Sequence, residues 1–390
     1  MERLVTFALR QRLLVLLACL VLIGFGARAL NDLPIDAFPD VTNVQVQVLA
    51  EASGMAPVEV EQLVTYPVEV SMGGLPGLVE VRSLSKLGLS LTTVVFKDNV
   101  DIYFARQLVF ERLQQAREKL PAGVDVELGP ISTGLGEVYQ YTLESPKRDA
   151  MELRTLQDWV VKPILRGVPG VTDVNSFGGL VKQYHVLVRP EQLTSYRLTL
   201  RQVLAALAEN NANASGGYIE HSGEQYVVRG LGLAATPTDL ERIVVAHRGS
   251  TPIFVRDIAE VTTGPEPRQG FVTRDGKGEA VAGIVLMLKG ASGRDVVAAV
   301  KAKLTTVHQA LPPDVRVVPF YDRTELVDRA MHTVTEALLE GGVLVLIVLV
   351  LFLGNIRSAL IVTLVLPLSA LVAFILLHAF GYSANLMSLG

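Results

Sequence analysis

Cysteine occurs once in 390 residues, as Cys19, and tryptophan once, as Trp159. A single thiol excludes an intrachain disulfide and any cysteine-based metal cage. Its place inside an apolar run reads as a small membrane-facing residue. Charge is scarce: 19% of residues are Asp, Glu, Lys or Arg, against about 25% in an ordinary soluble chain. The six histidines, His185, His221, His247, His308, His332 and His378, show no H-x3-H or comparable ligand spacing, so each reads as structural or surface. Glu220-His221 with Glu224 is only weakly ligand-like. Gly178-Gly179, Gly216-Gly217 and Gly276-Lys277-Gly278 lack Walker spacing before a helix, and no Ser/His/Asp arrangement stands out. An enzyme and an ATP-driven pump are therefore both unsupported. No Asp or Glu follows Glu340, so an intramembrane acid pair of the kind that relays protons is also missing.

What the chain does have is three long apolar runs, at Leu13–Leu30, Ala337–Leu353 and Ser358–Phe380, each near the ~20 residues that cross a bilayer as a helix. Arg3, Arg10 and Arg12 precede the first, and Arg357 lies in the link between the other two. Both flanks suit the cytoplasm under the positive-inside rule. The central 31–333 region then faces the opposite side. Only three of the 39 acids (Glu2, Glu336, Glu340) and five of the 35 bases (Arg3, Arg10, Arg12, Arg28, Arg357) fall outside it, leaving a net charge of −6. That balance offers no basic patch for nucleic acid. The first run also has the marks of a cleaved leader, with a basic start and Ala27-Arg28-Ala29 after the apolar stretch. Residues alone leave both readings open.

The central region is patterned. Two prolines in Leu33-Pro34-Ile35-Asp36-Ala37-Phe38-Pro39-Asp40 predict a stiff exit from the first span. Val44, Val46 and Val48 alternate with Gln45 and Gln47, a half-buried strand. A helix is predicted from Pro57 to Met72 with a kink at Pro67, then strands at 78–84 and 87–96. Asp101 caps a helix with apolar face Phe104, Leu108, Val109, Leu113 and Ala116, and a strand at 124–128 follows. The order β-α-β-β-α-β is the ferredoxin-like arrangement.

That order recurs. Leu75-Pro76-Gly77-Leu78-Val79-Glu80-Val81-Arg82-Ser83 is echoed by Val168-Pro169-Gly170-Val171-Thr172-Asp173-Val174-Asn175-Ser176 at a constant offset, and Leu120-Pro121 by Leu311-Pro312. A duplicated unit explains both echoes. The second copy is interrupted: its first half ends near Val188, and it resumes with a strand at 281–288, a helix at 294–310 and a strand at 315–320. The insertion, roughly 190–270, holds a helix at 200–209, a loop by composition at 210–217, and strands at 226–228 and 253–255.

At this point the chain resembles the resistance-nodulation-division (RND) superfamily of proton-driven efflux pumps, and within it the heavy-metal efflux (CzcA/CusA-like) branch. The carrying residues are Leu33–Val41, Gly54-Met55-Ala56-Pro57-Val58-Glu59-Val60-Glu61, Gly129–Tyr141, and Leu351–Ser358 through Pro367-Leu368-Ser369. The resemblance implies an α+β membrane protein with three transmembrane helices. Duplicated ferredoxin-like porter subdomains would lie at 33–130 and at 131–189 plus 271–333, a docking subdomain at 190–270, and spans at 1–32, 334–354 and 358–380. It implies that the first span is retained and that the chain is an N-terminal fragment. The proton-coupling carboxylates would belong to a fourth span beyond Gly390. It also implies an inner-membrane homotrimer working with a periplasmic adaptor and an outer-membrane channel. No cofactor is implied; the metal cation is the substrate.

Glu137 is the candidate metal residue. It follows Gly134-Leu135-Gly136 at the junction of the two copies. The resemblance places it facing the transport path, where a dehydrated divalent ion needs carboxylate ligands. A solvated loop carboxylate is the competing reading, since one acid makes no site. Soft Cu(I) or Ag(I) prefers thioether sulfur. Seven methionines, none clustered outside the membrane runs, favour Zn, Co, Cd or Ni, and Met287 reads as core. Glu336 and Glu340 read as the interfacial start of the second span, favourable to its helix dipole. Two other functions fit the layout: an RND pump for organic compounds, and a membrane-tethered periplasmic metal-binding or sensor module.

Overall fold

The computed structural model describes residues 10–33, 35–36, 41–268, 270–380 and 384–385. Pro34 and Ala37–Asp40, on which the expected stiff exit rests, lie outside the described residues, as does Arg3. Two compact units divide the chain: Met1–Thr142 with Val160–Asn175 and Gly283–Gly390, and Leu143–Trp159 with Ser176–Ala282.

The first unit opens with helix α1 (Arg12–Asp32). The first copy of the repeat follows as β1 (Val44–Glu51), α2 (residues 57–72), β2 (Leu78–Lys86), β3 (Leu89–Phe96), α3 (Ile102–Arg117) and β4 (Asp125–Leu128). Its sheet runs β2-β3-β1-β4 and is antiparallel throughout. The alternation in β1 buries Val46, Val48 and Ala50. Against them pack Val60, Val64, Val68 and Met72 of α2 and Ala105, Val109, Leu113 and Ala116 of α3, each set at a spacing that lines one helix face. The Asp101 carboxylate caps α3, accepting from the amides of Tyr103 and Phe104, both at 2.9 Å. Asp101→Ala is expected to lower stability by about 1 kcal/mol; a chemical-denaturation midpoint unchanged from wild type would contradict it.

The second copy is β5 (Glu137–Glu144), α4 (residues 150–166), β6 (Val171–Phe177), β7 (Val281–Met287), α5 (Gly293–Ala310) and β8 (Arg316–Asp322). Its sheet order is β8-β5-β7-β6. Counting strands within each copy, both sheets read 4-1-3-2. The echoed segments occupy equivalent turns. Gly77 and Gly170 have φ of +75° and +82°, and the amides of Leu78 and Val171 each donate at 3.1 Å to the carbonyls of Leu75 and Val168. In both copies the preceding helix widens into a π turn, at Glu61–Thr65 and Gln157–Val161, just ahead of Pro67 and Pro163. A proline lacks the amide for an i→i−4 bond and its ring clashes with that carbonyl. The wider turn removes the conflict and lies where the kink at Pro67 is expected, and both proline and a π-bulge are causes of such bends.

The second unit has its own core of Val203, Ile243, Ile253, Val255, Ile258 and Ala259, with Val186 and Val188 against it. Strand Lys182–Val188 pairs antiparallel with Ala259–Pro265 and does not join the four-stranded sheet of the second copy. The second half of the loop expected at 210–217 is strand. Ala214–His221 forms an exposed hairpin with Glu224–Gly230. The glycines there serve pairing. A Cβ at Gly216 would lie 2.6 Å from Val228, and Gly217 adopts φ +75° beside a register shift, the conformation a bulge takes.

Helix α6 (Arg323–Leu353) begins at Arg323, more than ten residues before the apolar run. Glu336 and Glu340 therefore sit about three and a half turns or more inside it, too far from the N-terminus to feel its dipole. Glu336 pairs instead with His332, Nδ1 to Oε2 3.4 Å. Gly354, left-handed at φ +60°, ends α6, and Asn355 caps α7 (Ile356–Ala379) by accepting from the Arg357 amide. Among the described residues, three helices are long and apolar enough to cross a membrane, through windows Leu13–Leu30, Thr335–Leu353 and Ile356–Ala379. Helices α1 and α7 approach closely at Gly26, where a Cβ would lie 2.7 Å from Leu371.

Candidate functional site

The loop joining β4 to β5 places Glu137. It is held at both ends by backbone. The Gly129 amide donates to Gln47 O at 2.8 Å, Lys289 N to Ile131 O at 3.1 Å and Met287 N to Gly136 O at 2.7 Å. Gly136 is folded tightly back on its own loop. Its amide donates to Thr133 O at 2.9 Å, and an added Cβ would lie 2.0 Å from Ser132 Oγ. The Ser132 hydroxyl can rotate away, but the Thr133 carbonyl lies 3.0 Å from the same Cβ, so any side chain immediately before Glu137 is crowded.

Glu137 is the first residue of β5 and its side chain is exposed. The Oε2 atom accepts from Gln140 Nε2 at 2.8 Å. Behind it Tyr139 and Tyr141 are buried, ring centroids 6.2 Å apart. Burial, and secondarily the charge of Asp322, pushes the Tyr139 phenol above its ordinary pKa. Burial alone would push the Asp322 carboxyl up. The Lys301 ammonium and the hydroxyl and amide of Thr324 outweigh that and hold it below the ordinary carboxylate range. Asp322 Oδ1 accepts from the Thr324 amide at 2.9 Å and its hydroxyl at 2.6 Å, while Oδ2 pairs with Lys301.

Among the described residues, no group of three or more His, Cys, Asp or Glu is assembled as a metal cage. Glu137 thus offers one carboxylate with an amide beside it, enough to take a place in a coordination shell but not to complete one. His221 and Glu224 face each other across the tip of the exposed hairpin, and the Tyr226 hydroxyl donates to Glu224 at 2.6 Å. His185 packs on Gly264, whose added Cβ would touch the ring at 2.4 Å. Met287 is buried in β7, as core packing predicts. Sequence reading missed Asp322 and Arg323. An acid followed by Thr324 and Glu325 after a strand is a helix-start signal, and it was present.

Two β-α-β-β-α-β copies follow one another between helices of membrane-crossing length, the layout of a mixed helix-and-sheet membrane protein. The chain belongs to the AcrB/AcrD/AcrF family, which it matches over residues 4–390. It is 52% identical over 398 residues to the cation efflux system protein CzcA of Alcaligenes sp. (strain CT14), covering 100% of this chain and 37% of that protein. It is 42% identical over 392 residues to the cation efflux system protein CusA of Escherichia coli (strain K12), with coverage of 100% and 37%. A crystal structure of a heavy metal efflux pump superposes with TM-score 0.90 at 41% identity, covering 99% of this chain and 39% of that one. These matches bear out the resemblance to the heavy-metal efflux branch of the RND superfamily. The chain spans about 37% of the length of these curated relatives.

Proposed function

We propose that this chain is the N-terminal part of a proton-driven inner-membrane pump that exports heavy-metal cations. The observation that carries the proposal is the 52% identity, along the whole chain, to a protein named for cation efflux. On this reading the two four-stranded sheets are ferredoxin-like porter subdomains and the inserted segment is a docking subdomain. The assembly is a homotrimer that works with a periplasmic adaptor and an outer-membrane channel. Glu137 contributes a carboxylate to the cation's path. A borderline divalent ion (Zn, Co, Cd or Ni) suits this chain better than Cu(I) or Ag(I). Met72 and Met287 are buried, and Met55 packs against the first core, so none of these thioethers is offered to a soft ion.

Deleting the gene and scoring Zn, Co, Cd and Cu tolerance against drug tolerance tests this function. Deletion is expected to sensitise cells to the divalent metals, and restoration with Glu137→Gln to be incomplete. Cation export by that variant is expected to fall by at least the roughly tenfold that loss of an outer-shell partner costs a metal site. Full metal resistance from Glu137→Gln would remove Glu137 from the path. Loss of drug tolerance with metal tolerance intact would replace the cation by an organic substrate.

A further inference from the structure

Helix α6 reaches about three turns beyond its apolar window, which opens at Thr335, to begin at Arg323. Arg323 is only 5% exposed. Its Nη1 donates to the carbonyl of Leu135, two residues before Glu137. The intervening Gly136 is held by its amide on Thr133 and by the Met287 amide on its carbonyl, so both of its backbone polar groups are tied. A guanidinium offers five donors in a rigid fork. A carbonyl held by such a group follows its orientation more closely than one solvated by water. The root of the helix is itself pinned: Asp322 caps it, pairs with Lys301 of α5, and Lys301 reaches Thr324 Oγ1 at 3.4 Å. Gly341-Gly342 is the pair of lowest helix propensity in α6, and an added Cβ at either would meet nothing within 4 Å. That pair lies inside the apolar window, and residues 323–340 before it contain neither glycine nor proline.

We infer that Arg323 is a positioning residue: through it the helix carrying the second candidate span sets the Gly129–Gly136 loop, and with the loop the carboxylate of Glu137. A displacement at the root of α6 reaches the Gly129–Gly136 loop, and with it Glu137, through this side chain. The inference rests on the reading of Glu137 as a cation ligand, and its test separates the two.

The test uses the full-length protein, with Arg323→Gln and Arg323→Lys, and two readouts. The first is amide hydrogen exchange over residues 131–137. Arg323→Gln is expected to speed exchange of the Gly136 amide at least tenfold, and Arg323→Lys, which keeps one donor, less. The Val94–Phe96 amides of β3 serve as a folding control and stay unchanged. The second is Zn(II) export in reconstituted vesicles. Arg323→Gln is expected to raise the half-saturating Zn(II) concentration with the maximal rate held, and to add no further loss to Glu137→Gln. Unchanged loop exchange in Arg323→Gln overturns the inference. So does a loss confined to the maximal rate and additive with Glu137→Gln, which is what a purely structural residue gives. Wild-type export by Glu137→Gln alongside loosened loop exchange in Arg323→Gln overturns the Glu137 reading, and with it the coupling, while leaving the grip on the loop measured.

Discussion

Alanine at position 178 is expected to destabilise the protein by about 3 kcal/mol, the sum of a left-handed backbone penalty and an overpacking penalty. Gly178 has φ +69°, where an L residue loses about 1–2 kcal/mol. A Cβ there would also lie 2.1 Å from the carbonyl oxygen of Ala280 and 2.9 Å from Val272 Cβ. The Ala280 carbonyl is backbone and cannot swing away. The amide of the same residue is already bound to Val272 O at 2.8 Å, and Gly178's own carbonyl accepts from Arg154 Nη1 at 2.6 Å. Gly276→Ala is the matched control, with φ +66° but nothing within 4 Å of its Cβ. It is expected to show the backbone penalty alone. Unfolding midpoints of the purified protein for both variants measure the clash by difference. Equal losses would show that the backbone shifts freely and that close approach is not why glycine stands at 178.

Those two glycines illustrate what composition shows and what it does not. Gly178-Gly179 and Gly276-Lys277-Gly278 look alike as sequence, and neither has Walker spacing. Only the fold separates a glycine clasped by backbone from one on an open turn. The repeat was legible because it is local: Gly77 and Gly170 close the same turn after the same helix, so the echo survives in a nine-residue window. Period-two alternation at Val44, Val46 and Val48, and the cap at Asp101, are local too. Pairings between distant segments were not legible. Strand Lys182–Val188 finds its partner at Ala259–Pro265, on the far side of an inserted core, and no residue within it announces that choice. The start of α6 carries a cap signal at Asp322, but hydropathy registers only the apolar stretch, because Arg323, Glu325 and Asp328 break the run. The candidate site divides the same way. Glu137 stood out from its glycine approach, but the side chain that holds its loop comes from 188 residues beyond Leu135.

Lys301→Met is expected to lower stability by about 2 kcal/mol at neutral pH. Breaking a fully buried pair costs about 3–5 kcal/mol, but Lys301 is 47% exposed while Asp322 is 8% exposed, so water takes back part of the loss. The pH dependence carries the sharper test. In the native protein burial pushes the Asp322 carboxyl up, and Lys301 with Thr324 overrides it, so the folded pKa lies below the ordinary value. A carboxylate with a depressed pKa contributes stability above its unfolded value, about 3.9, and loses it as pH falls through the folded value. Methionine at 301 removes the ammonium and keeps the burial, so the carboxyl rises. The difference between variant and wild type is therefore largest near pH 7, narrows as pH falls through the carboxylate range, and closes once Asp322 is protonated in both proteins. Adding Asp322→Asn to Lys301→Met removes the unpaired charge while keeping an oxygen to cap α6, and is expected to recover part of the loss at pH 7. Unfolding midpoints for wild type, single and double variants at pH 7 and pH 4 decide the matter. A loss that is independent of pH, or a double variant weaker than the single, would mean that Lys301 acts by packing its stem and not by neutralising Asp322. In that case the root of α6 is held to α5 by apolar contact.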